Sequence, residues 1–398
     1  MLIRIALALA AGGARGPDAL AGADIQDAPA DNEHYQLRAE VGAEYDSNAH
    51  RVEQIADTTV PPPAPVESLL QRVVVSAQLA DQMAPGHAIT WSMTGAAKIF
   101  DDPAARSEDV AVAQSSLLWR AALGPRAWLS SSGTYYEAFQ NWAPPGDPAG
   151  ERRDFRSLAP GLELRAAVTD ALQLSLGGGY RWLVYKPDRD FDFRGPTLAG
   201  SLRWLHDEES GADWEARAVT ALELRQFGGP AHLGNCSTDP ADTLPCPSNL
   251  ARNDTFTMTG VDVTRTGRIL LGLGYALQYN ASNSVGETVI RHVASARVAA
   301  ALPLALYLAA RADVLFAFYR DGVPVVQATD MTTMTGGKPY ATIEDENRSS
   351  VRLDLSRDVG DRLRALLRYT FYANELSNSS GTYRRHTLLL SLAFTVEK

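Results

Sequence analysis

The segment Arg384-Arg385-His386-Thr387-Leu388-Leu389-Leu390-Ser391-Leu392-Ala393-Phe394-Thr395-Val396 settles what kind of chain this is. Leu388, Leu390, Leu392, Phe394 and Val396 fall on one face of an extended chain, and Arg385, Thr387, Leu389, Ser391 and Ala393 fall on the other. A soluble strand usually stops at about five or six residues, whereas one that crosses a bilayer at a tilt needs about ten. This segment is long enough to cross and carries a face fit for lipid.

Working back from it, the same period of two recurs. Tyr35, Leu37, Ala39, Val41, Ala43 and Tyr45 oppose Gln36, Arg38, Glu40, Gly42 and Glu44, and Leu363, Ala365, Leu367, Tyr369 and Phe371 oppose Arg364, Arg368 and Thr370. Breaks in the pattern predict strands over 34–46, 67–80, 88–101, 110–123, 126–142, 154–168, 171–186, 193–207, 212–227, 253–266, 268–281, 288–302, 304–319, 345–358, 361–375 and 382–396. These make an all-β, antiparallel transmembrane barrel of about sixteen strands, within a range of about fourteen to eighteen, and closure of a single-chain barrel favours an even number. Short connections such as Gly124-Pro125 and Thr169-Asp170 alternate with long ones such as 228–252 and 320–344. Short periplasmic turns and long external loops produce this asymmetry, which places both termini in the periplasm.

Tyr45, Trp142, Tyr185, Phe227, Tyr279, Phe318 and Tyr372 near the loop ends, and Trp128, Trp204 and Trp214 near the turn ends, are expected to form interfacial belts. Three positions strain the scheme. Pro160 and Pro196 lack a ladder donor and should mark bulges or strand starts, and Asp262 falls on an apolar face unless a bulge near Gly260 shifts it.

The composition fits a barrel and narrows the function classes. No run of eighteen uncharged apolar residues follows the N-terminus, so spanning helices are not expected. Arg4, a short apolar run and Ala21-Gly22-Ala23 resemble a secretory signal over residues 1–23, followed by a short periplasmic segment 24–33 and the barrel over 34–398. A formal net charge of -10 sets nucleic-acid binding aside, since phosphate contacts need a basic surface.

Few residues suggest covalent or metal chemistry. Cys236 and Cys246, the two cysteines, lie close together in a polar loop and are expected to form a disulfide; a metal site there would have His232 as its one nearby partner. Asp188-x-Asp190-x-Asp192 has the opening spacing of a Ca²⁺ loop, but Phe193 and Ala199 stand where Gly and a bidentate Glu belong, so a solvated acidic loop is the better account. Gly177-Gly178-Gly179 lacks the Lys and helix of a phosphate loop and suits a close backbone approach. The His residues are scattered, no Gly-x-Ser-x-Gly elbow occurs, and no catalytic site, cofactor or metal is expected.

The inward face carries the functional signal. Alternation turns Arg38, Arg72, Lys98, Arg120, Arg165, Arg181, Arg203, Arg217, Arg225, Arg291, Arg297, Arg311, Arg352, Arg364, Arg368 and Arg385 into the lumen, about sixteen cations. Against them stand roughly seven acids, Glu40, Glu44, Glu163, Glu215, Glu223, Asp313 and Asp354. A net-positive lumen in an acidic chain is expected to favour anions, although such arginines also brace porin walls by pairing with acids.

Together the signal segment, the alternating strands and the terminal Leu388-x-Leu390-x-Leu392-x-Phe394 resemble Gram-negative outer-membrane porins over nearly the whole chain. Gly42-Ala43-Glu44-Tyr45-Asp46-Ser47-Asn48 is similar to the opening of uncharacterised porin-like families and of the barrel in surface-lipoprotein assembly modifiers, whose preceding helical repeats are absent here. A cationic lumen with neither plug nor repeats resembles the alginate-type polysaccharide export porins. The resemblance implies an outer-membrane location, lipid and the barrel-assembly machinery as partners, and a periplasmic polysaccharide-export partner. It also implies export of an anionic polysaccharide, the alternatives being passive diffusion of small anions or a structural or adhesive barrel.

Overall fold

The computed structural model describes residues 34–49, 65–140, 154–186, 189–207, 213–234, 246–320, 349–373, 376–377 and 384–397. Period-two alternation becomes one antiparallel sheet made of β1 (His34–Asp46), β2 (Ser68–Ala84), β3 (His87–Phe100), β4 (Val110–Gly124), β5 (Ala127–Gln140), β6 (Asp154–Ala167), β7 (Leu172–Lys186), β8 (Phe193–Asp207), β9 (Asp213–Leu233), β10 (Cys246–Thr266), β11 (Ile269–Ser282), β12 (Val289–Leu302), β13 (Leu306–Tyr319), β14 (Ser349–Asp358), β15 (Leu363–Ala373), β16 (Leu376–Ser377) and β17 (Arg384–Glu397). Each long strand pairs with its chain neighbours, and β17 returns to β1, from Gln36 opposite Glu397 to Asp46 opposite Thr387. The result is a closed barrel of sixteen strands. The two-residue β16 stands apart from that count: it runs parallel to Phe316 and Ala317 of β13, above the point where the shorter β14 begins.

Closure leaves no edge, and the two faces divide as expected for a lipid solvent. Leu37, Val41, Leu162, Leu176, Leu273, Leu353, Leu390 and Phe394 project outward and are exposed, while the alternate positions turn inward. No helix among the described residues is long and apolar enough to cross a membrane. The start of β1 and the end of β17 lie at the rim of the short turns, called here the turn rim; the opposite one is the loop rim.

Four expectations need correction. The connection expected over 228–252 is largely strand, because β9 runs on to Leu233 and β10 begins at Cys246; register shifts between Pro247 and Ala251 and between Ala251 and Asn253 absorb the irregular residues. Pro160 and Pro196 mark neither bulges nor strand starts. Each keeps one neighbour in register, Gly133 and Tyr180 respectively, and interrupts the ladder to the other without shifting it. That is the minimal cost of a missing N–H.

Asp262 needs no bulge at Gly260, since it shares the inward face with Asp254, Phe256 and Met258; those two apolar side chains, packed with Ala221 and Ala276, disguised the face. Among the proposed belt residues, Tyr279, Phe318 and Trp204 do face outward. Tyr185, Phe227 and Tyr372 are buried inward instead, the first two packing with Tyr136, Phe155, Leu183 and Phe193 inside the loop rim, while Trp128 shares the inward register of Arg165. Trp142 lies outside the described residues.

Candidate functional site: the lumen wall

Inward positions brought into register across successive strands follow the hydrogen-bonding direction, and in a barrel whose strands tilt by about 40° that direction climbs the wall. One such line begins near the turn rim at Glu215 on β9. It passes through Thr264, Gly272, Arg297, Arg311, Arg352, Thr370 and Thr387 and ends at Asp46 on the loop rim. Arg203 and Arg217 face each other one row above its start, and Arg368 flanks it one row below. The three consecutive arginines at mid-line, Arg297, Arg311 and Arg352, with Arg203 and Arg217 flanking the lower end, Arg368 the middle and Arg385 the upper end, are called here the arginine ramp.

Three guanidinium groups directly opposite one another, at Arg297, Arg311 and Arg352, would repel if left alone. Each is held by an acid. Arg311 Nε donates to Asp313 at 2.6 Å, Arg352 and Arg368 both donate to Asp354, and Arg297 Nη2 donates to Asp262 at 3.0 Å. Arg297 reaches Asp262 two strands away because Gly272 stands between them, and a Cβ there would collide with its side chain. At the loop rim Arg385 binds Asp46 through Nε and Nη2.

All sixteen cations named from alternation face inward, but they fall into two environments. Arg72, Lys98, Arg181, Arg225, Arg291 and Arg385 are buried near the loop rim. There Glu44 takes Lys98 and Arg72, Glu223 takes Arg181 and Arg225, and Arg291 donates to Tyr319 Oη. Arg38, Arg120, Arg165, Arg203, Arg217, Arg297, Arg311, Arg352, Arg364 and Arg368 are partly exposed. Arg297 and Arg311 keep 34% and 25% of the side chain accessible against 8% for Arg181, so these two are the more open to the lumen.

Several inward charges escaped the sequence reading. Arg252 is buried between Asp254 and Glu287, with its guanidinium 4.1 Å above the Phe227 ring. Asp46, Asp254, Asp262, Glu287 and Asp358 add to the inward acids and shrink the expected cation excess. A signal was present: Arg38/Glu40, Glu163/Arg165, Glu223/Arg225, Arg252/Asp254, Arg311/Asp313 and Arg352/Asp354 are spaced by two, which puts both charges on one face of a strand. Glu287 lies in the connection between β11 and β12, where burial holds its carboxyl above the usual carboxylate range against the opposing pull of Arg252. That connection is tied to the β9–β10 hairpin by Val285 N–H to His232 O at 2.9 Å and His232 N–H to Ser284 Oγ at 2.9 Å.

Cys246 opens β10 opposite Leu233 and is disulfide-bonded, while Cys236 lies outside the described residues. Thiol probes are expected to label neither cysteine in intact cells until a reductant is added; labelling of unreduced cells at either position would refute the bridge. Of the acidic triplet, Asp188 is also outside the described residues, and Asp192 accepts the Tyr185 N–H at 2.6 Å, an ordinary loop-capping role. No cluster of three potential metal-binding acids, His or Cys occurs among the described residues.

An apolar exterior, a closed ring of sixteen strands and an ion-paired lumen define a transmembrane barrel of the outer-membrane porin architecture. Among solved structures, this chain is similar to Pseudomonas aeruginosa OccK11 (OpdR), with 10% identity, a TM-score of 0.39, and coverage of 91% of this chain and 96% of that one. It is similar also to the anion-selective porin from Comamonas acidovorans, with 8% identity, a TM-score of 0.44, and coverage of 92% and 99%. CdiB from Acinetobacter baumannii gives 8% identity and a TM-score of 0.50 over 92% of this chain but 60% of its own. The sequence matches no protein-family profile and no curated protein. At these identities the likeness is one of fold.

Proposed function

We propose that the barrel is a porin-like outer-membrane channel, with the turn rim in the periplasm, that carries anionic solutes and exports an acidic polysaccharide along the arginine ramp. The observation that carries this is the run of three consecutive inward arginines, Arg297, Arg311 and Arg352, on a line that climbs the lumen from Glu215 near the turn rim to Asp46 at the loop rim, where Arg385 binds it. A guanidinium has five N–H donors in a planar fork, and a bidentate acid uses two, so a paired arginine still offers donors to a passing carboxylate. A small ion needs one such point, whereas an extended polyanion gains from several at once. The acids along the ramp also keep any single site weak, and a conducting pathway must release what it binds.

Planar bilayers test this directly. The purified barrel is expected to pass chloride over potassium, and Arg297→Gln, Arg311→Gln and Arg352→Gln combined should lower that ratio by about threefold or more. The same three changes should weaken block of the current by a uronic-acid oligomer. Cation selectivity in the unaltered protein, or a ratio indifferent to the three changes, would refute it.

A further inference from the structure

The lumen is chemically lopsided. In a closed ring of sixteen strands the eighth neighbour stands across the lumen, so β5 faces β13 and β7 faces β15. Arg311 and Arg368 stand five residues in from the turn ends of β13 and β15, and Ser132 and Gly177 stand five residues in from those of β5 and β7. At that level β5 and β7 present a hydroxyl and a glycine where β13 and β15 have ion pairs, and the charge on this side is the single Glu163–Arg165 pair of β6, with Glu163 in register with Gly177.

That wall continues on both sides. Ser92 and Ser116 are in register with their hydroxyl oxygens 2.7 Å apart, and so are Ser175 and Ser201 at the same distance. In such a pair one hydroxyl donates to the other, which leaves one O–H and several lone pairs turned toward the lumen. Gly177 and Gly179 point inward with no side chain, because a Cβ at either would press on the carbonyl oxygens of Leu162 and Pro160. A small recess lies nearby, lined by Glu163, Ser175, Ala199, Ser201, Val219, Ala221 and Met258. Above it, Tyr136, Phe155, Leu183, Tyr185, Phe193 and Phe227 pack together inside the same side of the loop rim.

We infer that the serine wall on β3–β8 is a second recognition surface, which takes the hydroxyl edge of a sugar acid while the ramp takes its carboxylate. The inference rests on the anion reading of the ramp and narrows it from anions in general to polyhydroxylated ones. A uniformly cationic pore would not separate a sugar acid from a bare carboxylate of similar size. Two unlike walls do, because the bare carboxylate strips water from the serines without replacing their hydrogen bonds.

The test uses the full-length barrel in planar bilayers with potassium glucuronate on one side and potassium cyclohexanecarboxylate on the other. The unaltered channel is expected to prefer glucuronate by about fivefold, the size of one net hydrogen bond. Ser116→Ala, Ser132→Ala, Ser175→Ala and Ser201→Ala combined should abolish that preference, and threonine at the same four positions should restore most of it. The chloride-to-potassium ratio, measured on the same channels, reports the ramp. A channel that selects chloride yet treats the two carboxylates alike overturns the serine wall and leaves the ramp standing. Persistence of the preference in the alanine variant overturns it as well. Cation selectivity in the unaltered channel overturns ramp and wall together, and the comparison of the two carboxylates on unaltered protein stands even where the fourfold variant folds poorly.

Discussion

Arg385→Met is expected to destabilise the barrel by about 3–5 kcal/mol, the cost of stranding a buried charge. The partner left behind is Asp46, whose side chain is fully buried, on the strand that closes the ring. Arg385 binds it through Nε at 2.8 and 3.0 Å, and Asn48 N–H adds a third donor at 3.0 Å. Around this pair the seam is fastened by Ser47 N–H to His386 O at 3.0 Å and His386 N–H to Ser47 Oγ at 2.8 Å. The pair thus holds the first strand to the last at the loop rim, the junction that forms only once the whole sheet has been laid down. The measurement is urea unfolding of refolded protein in lipid vesicles, scored by loss of the heat-modifiable gel band. Arg385→Met with Asp46→Leu should recover more than half of the loss, since an apolar pair strands no charge. A single variant within about 1 kcal/mol of the parent would show that water reaches Asp46 and that the seam does not depend on the pair.

Much of this architecture was legible because lipid imposes a strict rule on every second residue. Strand β1 was predicted over 34–46 and runs from His34 to Asp46, and β8 was predicted over 193–207 and runs from Phe193 to Asp207. The rule fails where lipid stops acting. Beyond the loop rim, Gly228, Gly229, Pro230 and Pro247 have the composition of a turn, yet the hairpin continues through them, held by pairing and by the 283–288 connection. Inside the rim, Tyr185 and Phe227 look like belt residues, because an aromatic ring suits both an interface and a packed lumen.

The lumen was legible in side but not in partnership. Alternation tells which charges share the interior, but not which of them meet. Arg385 with Asp46, Arg181 with Glu223, Lys98 with Glu44 and Arg297 with Asp262 come together through register, a property of the closed sheet. The spacing-by-two pairs, such as Arg311 with Asp313 and Arg352 with Asp354, are visible in the sequence, because residues two apart share one face of a strand. Register is why Arg181, which by spacing looked like a pore-lining cation, belongs to a buried cluster, and why the ramp residues on β12–β14 are the better targets for selectivity.

Gly195→Ala is expected to prevent most of the chain from reaching the folded barrel, with a cost of at least about 3 kcal/mol, the upper end of ordinary overpacking. The cause lies one residue on. Pro196 cannot donate to the ladder, and the pairing of β8 with β9 lapses between Arg194 opposite Gln226 and Thr197 opposite Glu223, while the register on either side is unchanged. Across that gap the two backbones close in, and a Cβ on Gly195 would sit inside the radius of the Leu224 carbonyl oxygen. A flexible side chain could swing away, but a backbone carbonyl in a closed sheet has nowhere to move, since each strand is held on both sides. Gly95→Ala and Gly133→Ala supply the control, because a Cβ at either position meets nothing within 4 Å, and both should stay within about 0.5 kcal/mol of the parent. The three variants are to be refolded in parallel and compared by heat-modifiable fraction and urea midpoint. Parent-like behaviour of Gly195→Ala would mean that β8 and β9 stand further apart at Pro196 than this geometry requires, and the glycine would then be dispensable.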